Sequence, residues 1–279
     1  MERNMETKEA EYLEQEKRLK EKMAKVKYPL IVMSGKGGVG KSTVAVNLAY
    51  ALSLLGNSVG ILDIDLHGPN IAKMLGIEKH SLYNFEFGIQ PVEVSNNLKA
   101  VSVALTGYDS DQPIIWRGPM KTAVIRQFLA DVNWGDLDYL VIDSPPGTGD
   151  EPLSACQLIP NVSGIIIVTT PQDVAILDVR KSVLFAKEIK IPVVGIVENM
   201  SGFVCPHCHG EVDIFKKGGG EKAAQELKVP FLGRVPFEPE FVEFGDKGTP
   251  FASFGHKSKS AESFVGIVAK IKEFVGDMK

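Results

Sequence analysis

Cysteine is scarce in this chain, with three among 279 residues, at positions 156, 205 and 208. Three thiols, two of them close-spaced, do not make a disulfide framework, which excludes a small secreted scaffold held by cross-links. Long apolar runs are missing too. No stretch approaches the 18 residues of a membrane helix, and the first 27 residues alternate charges instead of carrying an apolar core, so neither a signal peptide nor a membrane span is expected. Nor is there a surplus of positive charge: 31 Lys and Arg face 35 Asp and Glu, a net charge of −4, and no basic block is interleaved with aromatics. Nucleic acid is therefore not an expected ligand. What the chain does have is 44% hydrophobic residues, enough to fill a substantial core.

That apolar content is distributed in alternation. Continuous runs at 30–33, 58–63, 98–103, 139–143, 164–169 and 193–198 read as strands, and helical patterns fall between most of them, at 42–55, 120–132, 150–158 and 173–189. Strands with no polar alternation are covered on both faces, so the fold class is α/β, a mostly parallel central sheet with helices on either side. Residues 28–279 are expected to form one domain. Residues 1–27, dominated by Glu and Lys, form a charged extension expected to be a solvated helix or disordered, with a docking arm as the alternative. In open parallel sheets ligands bind at the carboxyl ends of the strands, and the motifs of this chain fall there.

The first motif is Gly35-Lys36-Gly37-Gly38-Val39-Gly40-Lys41-Ser42-Thr43, set between the strand ending at Met33 and a helical pattern. Strand, glycine loop and helix are what a phosphate cradle requires: backbone N–H groups turn inward and the helix N-terminus adds its positive dipole end. Lys41 is placed to reach β- and γ-phosphates and Ser42 to ligate Mg²⁺. Lys36 adds a second cation that can act in its own site or reach across to a facing one. Asp63 and Asp65, two positions apart at the end of the second strand, are expected on one side of an extended chain, where a phosphate site needs groups to hold magnesium's water or orient an attacking water. Asp143, closing the apolar run 139–143, fits a carboxylate that holds Mg²⁺ through water, and the glycine-containing loop 145–149 follows it. Asn199 ends a later strand and offers both halves of its amide to a purine edge; an ordinary turn residue is the other reading.

The second motif is Cys205-Pro206-His207-Cys208. Two thiolates three positions apart around a proline form a tight turn that points both sulfurs at one metal. A thioredoxin-like redox pair needs the first cysteine to open a helix, whereas residues 211–215 read as extended. A structural zinc site completed by His207 or His209 remains open, and an iron–sulfur site is favoured. Either metal centre usually takes four ligands, and no second pair exists elsewhere in the chain. Cys156, solitary in a helical stretch, reads as a small buried apolar residue. The missing ligands most simply come from a second copy, Cys205 and Cys208 of each protomer meeting across a two-fold axis.

These motifs, together with Trp116-Arg117-Gly118-Pro119, Pro145-Pro146-Gly147-Thr148-Gly149-Asp150 and Glu198-Asn199-Met200-Ser201, resemble the Mrp/ApbC/Nbp family of iron–sulfur cluster carrier ATPases over roughly residue 28 to the C-terminus. These are P-loop NTPases of the deviant Walker A (SIMIBI) type. The resemblance implies slow ATP hydrolysis coupled to cluster loading or transfer, by a cytoplasmic homodimer that carries a bridging, labile [4Fe-4S] cluster to apo-proteins. It implies that Lys36 crosses the dimer interface to the partner's nucleotide and that Asp65 positions water. It also implies that Asn199 and the loop around Pro236 hold the adenine. The four-cysteine N-terminal extension of some members is absent, so no N-terminal cluster carries over. Two other readings keep the phosphate loop: a MinD- or ParA-like positioning ATPase, for which the apolar stripe in 261–278 would bind a membrane, and a structural zinc dimer regulated by ATP. Arg117 either lines the dimer face or pairs with a nearby acid.

Overall fold

A computed structural model describes residues 2–82, 84–85, 88–107, 118–205, 210–250 and 258–278. The elements run α1 (Glu2–Met23), β1 (Val26–Met33), α2 (Lys41–Leu54), β2 (Val59–Asp63), α3 (Ile71–Met74), β3 (Asn84–Phe85), β4 (Gly88–Ile89), β5 (Val92–Ser95) and β6 (Leu98–Ser102). There follow α4 (Gly118–Asp131), β7 (Leu137–Asp143), α5 (Asp150–Leu158), β8 (Gly164–Thr169), α6 (Asp173–Glu188), β9 (Val193–Val204), β10 (Glu211–Val212), α7 (Gly219–Leu227), β11 (Phe231–Phe237), α8 (Glu240–Asp246) and α9 (Lys259–Gly276).

The valine- and isoleucine-rich runs need cover on both sides, and they pair as the inner strands of one sheet. Its order is β10-β9-β8-β1-β7-β2-β6-β5, with β11 also paired to β9. The inner pairings are parallel, while β5 on β6 and β10 on β9 are antiparallel. Alternate side chains of each strand feed two cores. Leu30, Val32, Ile61 and Val141 pack with α2 and α9, and Ile31, Met33, Leu62 and Ile142 pack with α4, α5 and α6. Register then places the chemistry. Asp143 lies beside Val32 on one side and Asp63 on the other, so two carboxylates end adjacent strands next to the loop that leaves β1.

The α/β class expected from the alternation is the class observed. Several boundaries differ. β9 does not stop at residue 198 but continues to Val204, because β11 and β10 supply partners along its length. Short α3, α7 and α8, and strands β5, β10 and β11, carry too few periodic residues to stand out in the sequence. The N-terminal extension is the larger correction: β1 already begins at Val26, and α1 is not simply solvated. Leu19 and Met23 are buried in the core that includes Phe128 and Leu129 of α4. Arg18 pairs with Asp131 at 3.2 Å, and Lys22 hydrogen-bonds Asn133. The apolar stripe of α9 is likewise spent inside the molecule, since Phe264, Ile267, Val268, Ile271 and Val275 are buried against α2 and the sheet. Among the described residues no helix is long and apolar enough to cross a membrane.

Packing of α1 gives a test. Leu19→Ala should lower unfolding stability by about 2–4 kcal/mol through loss of a buried side chain, while Leu13→Ala, on the exposed side of the helix, should stay within about 0.5 kcal/mol. Urea unfolding of both variants checks this; equal effects would mean that α1 is not packed.

Candidate functional site

The loop between β1 and α2 turns through two left-handed glycines, Gly38 and Gly40, at φ 78° and 79°. At Gly40 the constraint is double. A Cβ there would lie 2.2 Å from Asn199 Nδ2, so neither the backbone nor the space admits another residue. Gly35 is held by contact instead, because a Cβ would lie 2.5 Å from Asp178 Cβ and 2.6 Å from the Asp178 carbonyl oxygen of α6. Ser34 Oγ donates to the Lys36 carbonyl at 2.9 Å, and Gly147 N–H of the loop after β7 donates to the Ser34 carbonyl at 2.7 Å. Gly37 and Gly38 are exposed at the loop's tip, whereas Val39 is buried beneath it.

Lys41, in the first turn of α2, is buried. Its Nζ donates to Asp143 Oδ1 at 2.6 Å and lies 3.4 Å from Asp65 Oδ2. Ser42 Oγ donates to the other oxygen of Asp143, also at 2.6 Å. A hydroxyl and a carboxylate in direct contact beside a lysine are the donor set that a magnesium–phosphate group takes in this loop type, so the residues present fit Mg²⁺ and a triphosphate. Burial pushes the Asp143 carboxyl up, and Lys41 and Ser42 pull it back. Lys36 is half-buried on the loop, and among the described residues no side chain pairs with its ammonium.

Asp63 behaves differently from its expected place beside Asp65 at the magnesium. The strand ends at Asp63, so the two-residue alternation lapses there, and its carboxylate turns into the protein. It accepts from Asp65 N–H at 3.1 Å, Ile71 N–H at 3.4 Å and Ser102 Oγ at 2.9 Å. Asp63 thus shapes the loop that presents Asp65. Full burial, with Asp143 close by, pushes its carboxyl up to about 8.

Beside Thr43 a cavity of about 310 Å³ is lined by Asn199, Met200, Pro236 and Phe237, together with Asn70 and Lys73 of the α3 region and Asp246 of α8. Asn199 and Pro236, distant in sequence, meet here because β11 pairs with β9 and brings Val235 opposite Asn199. Asn199 Nδ2 donates one of its hydrogens to the Val39 carbonyl at 2.9 Å, which orients the amide and leaves its Oδ1 and second N–H for a ligand. Asn70, Lys73 and Asp246 were not singled out by the sequence, since α3 and α8 carry no motif.

At the far end of β9 stands Cys205. Its N–H donates to the Gly210 carbonyl at 3.0 Å, and β10 returns antiparallel along Phe203 and Val204. Cys205 therefore directly follows a strand whose antiparallel partner begins at Glu211. Cys208, His207, His209, Trp116 and Arg117 lie outside the described residues. Among the described residues no group of three or more His, Cys, Asp or Glu could hold a metal. Cys156 is buried in the core, which pushes its thiol up to about 12. Glu198, next to Asn199, is fully buried and accepts from Gly218 N–H at 2.9 Å, Gly220 N–H at 2.5 Å and Ser201 Oγ at 2.5 Å, so it caps α7 from a neighbouring strand.

Residues 25–272 match the family model described as ParA: NUBPL iron-transfer P-loop NTPase. The chain belongs to that family. An iron-sulfur cluster carrier protein of Methanocaldococcus jannaschii is 52% identical over 95% of this chain and 91% of its own length. A cytosolic Fe-S cluster assembly factor NUBP2 homolog of Nematostella vectensis is 48% identical over 88% of this chain and 93% of its own. Among solved structures, a nucleotide-binding protein of Archaeoglobus fulgidus in complex with ADP aligns with a TM-score of 0.74 and 35% identity, over 88% of this chain and 98% of that one. MinD of Pyrococcus horikoshii, with a TM-score of 0.66 and 23% identity over 91% of this chain and 99% of that one, shares the fold.

Asp63 yields a pH prediction. Its folded value of about 8 lies above the ordinary 3.8, so the folded state holds a proton that the unfolded state gives up between those values. Stability from this group is complete below about pH 4 and is lost as pH rises toward about 8. Thermal unfolding of nucleotide-free protein should show a fall in Tm from about pH 5 to about pH 8 that is smaller in Asp63→Asn; an unchanged slope would contradict the assignment.

Proposed function

We propose that this chain binds and hydrolyses ATP and uses the nucleotide to control an iron–sulfur cluster that it loads or delivers to apo-proteins as a homodimer. The observation that carries the reading is that one strand, β9, lines the nucleoside-sized cavity with Asn199 and ends at Val204, directly before Cys205, six residues after Asn199. A change in the cavity on ligand binding has a covalent path of one strand to the cysteine turn. Between them the strand is irregular, with Met200 at φ 55° and Gly202 at φ 82°, so it has room to adjust. The names of the relatives, cluster carrier and cluster assembly factor, agree with this reading.

In this mechanism the loop N–H groups of 35–43 hold the phosphates and Lys41 neutralises the β- and γ-oxygens. Bound Mg²⁺, held by Ser42 and through water by Asp143, would supply charge neutralisation on the transferring phosphate. Asp65, 3.4 Å from Lys41, orients the attacking water. Lys36 completes the site of the facing protomer. Asn199, with Pro236, holds the base. The cluster is cargo, and Cys205 and Cys208 of two protomers supply its four thiolates, so that few ligands per chain keep it transferable. ATP state then sets how tightly the dimer closes on the cargo. A cytosolic setting accords with the name of the Nematostella relative. A MinD-like membrane role is disfavoured by the α9 stripe, which is buried in the core.

Three measurements test the proposal. Anaerobically prepared protein should contain iron and sulfide and show a visible cluster spectrum that Cys205→Ser abolishes; zinc in place of iron would favour the structural zinc dimer. Lys36→Ala should retain nucleotide binding while turnover falls by about 10³ to 10⁵, and unchanged hydrolysis would remove Lys36 from the reaction. Full cluster stoichiometry on a monomer in sedimentation would overturn the shared-ligand arrangement.

A further inference from the structure

One buried charge has no part in the machinery assigned above. Helix α4 turns Lys121, Ile125, Phe128 and Leu129 inward, spaced as the apolar side of an amphipathic helix, and Lys121 is only 9% exposed. A lysine in such a position needs partners, because an unpaired ammonium out of water is costly. Its Nζ lies 2.6 Å from His67 Nε2 and donates to Glu151 Oε1. An ammonium only donates, so His67 Nε2 accepts and the ring carries its proton on Nδ1. His67 Nε2 is also 3.4 Å from the Glu151 carboxylate, so three side chains from three segments close on one point.

The origin of the two partners gives the cluster its meaning. His67 lies in the turn after β2, two residues beyond Asp65, and the Gly68 N–H closes that turn on the Asp65 carbonyl at 3.2 Å. Glu151 lies in the first turn of α5, which follows the glycine loop 145–149 after Asp143. Strands β2 and β7 are parallel neighbours, and the Ile64 N–H donates to the Asp143 carbonyl at 3.0 Å, so both loops leave the same edge of the sheet. Stability is a poor account of this arrangement. A buried ion pair adds little net stability, and an apolar side chain would fill the inward position with less desolvation. What the contacts fix is the placement of one loop relative to the other.

We propose that Lys121 is a positioning residue for ATP hydrolysis: by holding His67 and Glu151 together it clamps the 65–68 turn to the start of α5 and so aims Asp65 at the attacking water. The kinetic consequence rests on the proposed hydrolysis, whereas the clamp itself does not. The lysine stands on a firm support, since α4 is backed by Leu19 and Met23 of α1 and tied to it through Arg18 and Asp131. Its effect falls on turnover and not on binding. The loop backbone and Lys41 hold the phosphates without the clamp, while the aim of Asp65 matters only once water attacks. A displacement of about 1 Å in such a group costs on the order of 100-fold in rate.

The test uses the full chain, with hydrolysis and amide exchange as separate readouts. In steady-state hydrolysis Lys121→Met should lower kcat by about 10- to 100-fold and leave the KM for ATP within about twofold. In an Asp65→Asn background, followed with labelled ATP, the same substitution should cost less than about twofold, since no aim is left to lose. An unchanged kcat in the single variant, or a full additive loss in the Asp65→Asn background, would overturn the inference. Hydrogen exchange of nucleotide-free protein tests the clamp without hydrolysis. In Lys121→Met, peptides covering 64–69 and 147–153 should exchange about tenfold faster while those of β7 and α2 keep their rates, and unchanged exchange in the two loops would overturn the clamp. Should every peptide exchange faster, the variant has lost its fold and His67→Leu, at an exposed position, carries the test: kcat should fall with KM unchanged, and an unchanged kcat would overturn the inference. Wild-type protein that binds ATP without hydrolysing it would refute the hydrolysis reading and the kinetic role, while faster exchange in the two loops of Lys121→Met would leave the clamp standing.

Discussion

The contact between Lys41 and Asp143 organises this molecule. A lysine this deeply buried must be paired, and its partner must be held in place by the sheet and not by a loose loop. The sheet does this through register, since Asp143 ends β7 directly beside Val32, just before the glycine loop departs from β1. Such a pair adds little net stability, because desolvation offsets much of the attraction. Its effect is positional: Ser42, Asp65 and the loop backbone all gather around one point at the carboxyl edge of the sheet.

A second buried carboxylate, Glu198, does for the other half of the site what Asp143 does for the phosphate loop. It ties β9 to the N-terminus of α7 through two backbone N–H groups and to its own strand through Ser201. Everything beyond that anchor, from Asn199 to Cys205, projects from a fixed origin. The left-handed turns at Met200 and Gly202 lie in this projecting part, between the base cavity and the cysteine.

How much of this could be read beforehand follows the range over which each feature is encoded. The phosphate loop, Asp143 and the α/β class depend on residues near one another in sequence or on simple periodicity, and they were legible. Asp63 departs from its expected place because period-two alternation does not continue past the end of β2, where the backbone turns. The α1 packing was hidden because only Leu19 and Met23 bury apolar surface in an otherwise charged helix, and two points make no pattern. Asn70, Lys73 and Asp246 join the base cavity through tertiary placement of short helices, for which no local signal exists.

The close fit of Gly35 against α6 has its own implication. The space between the loop and the helix backbone is too small for a single methyl group, so the two surfaces behave as one mechanical piece. A shift of the phosphate loop toward that side must carry Asp178 with it. Val174, one turn earlier on the same helix, and Leu177, next to Asp178, are both exposed and then become a distant pointer of what the phosphates are doing.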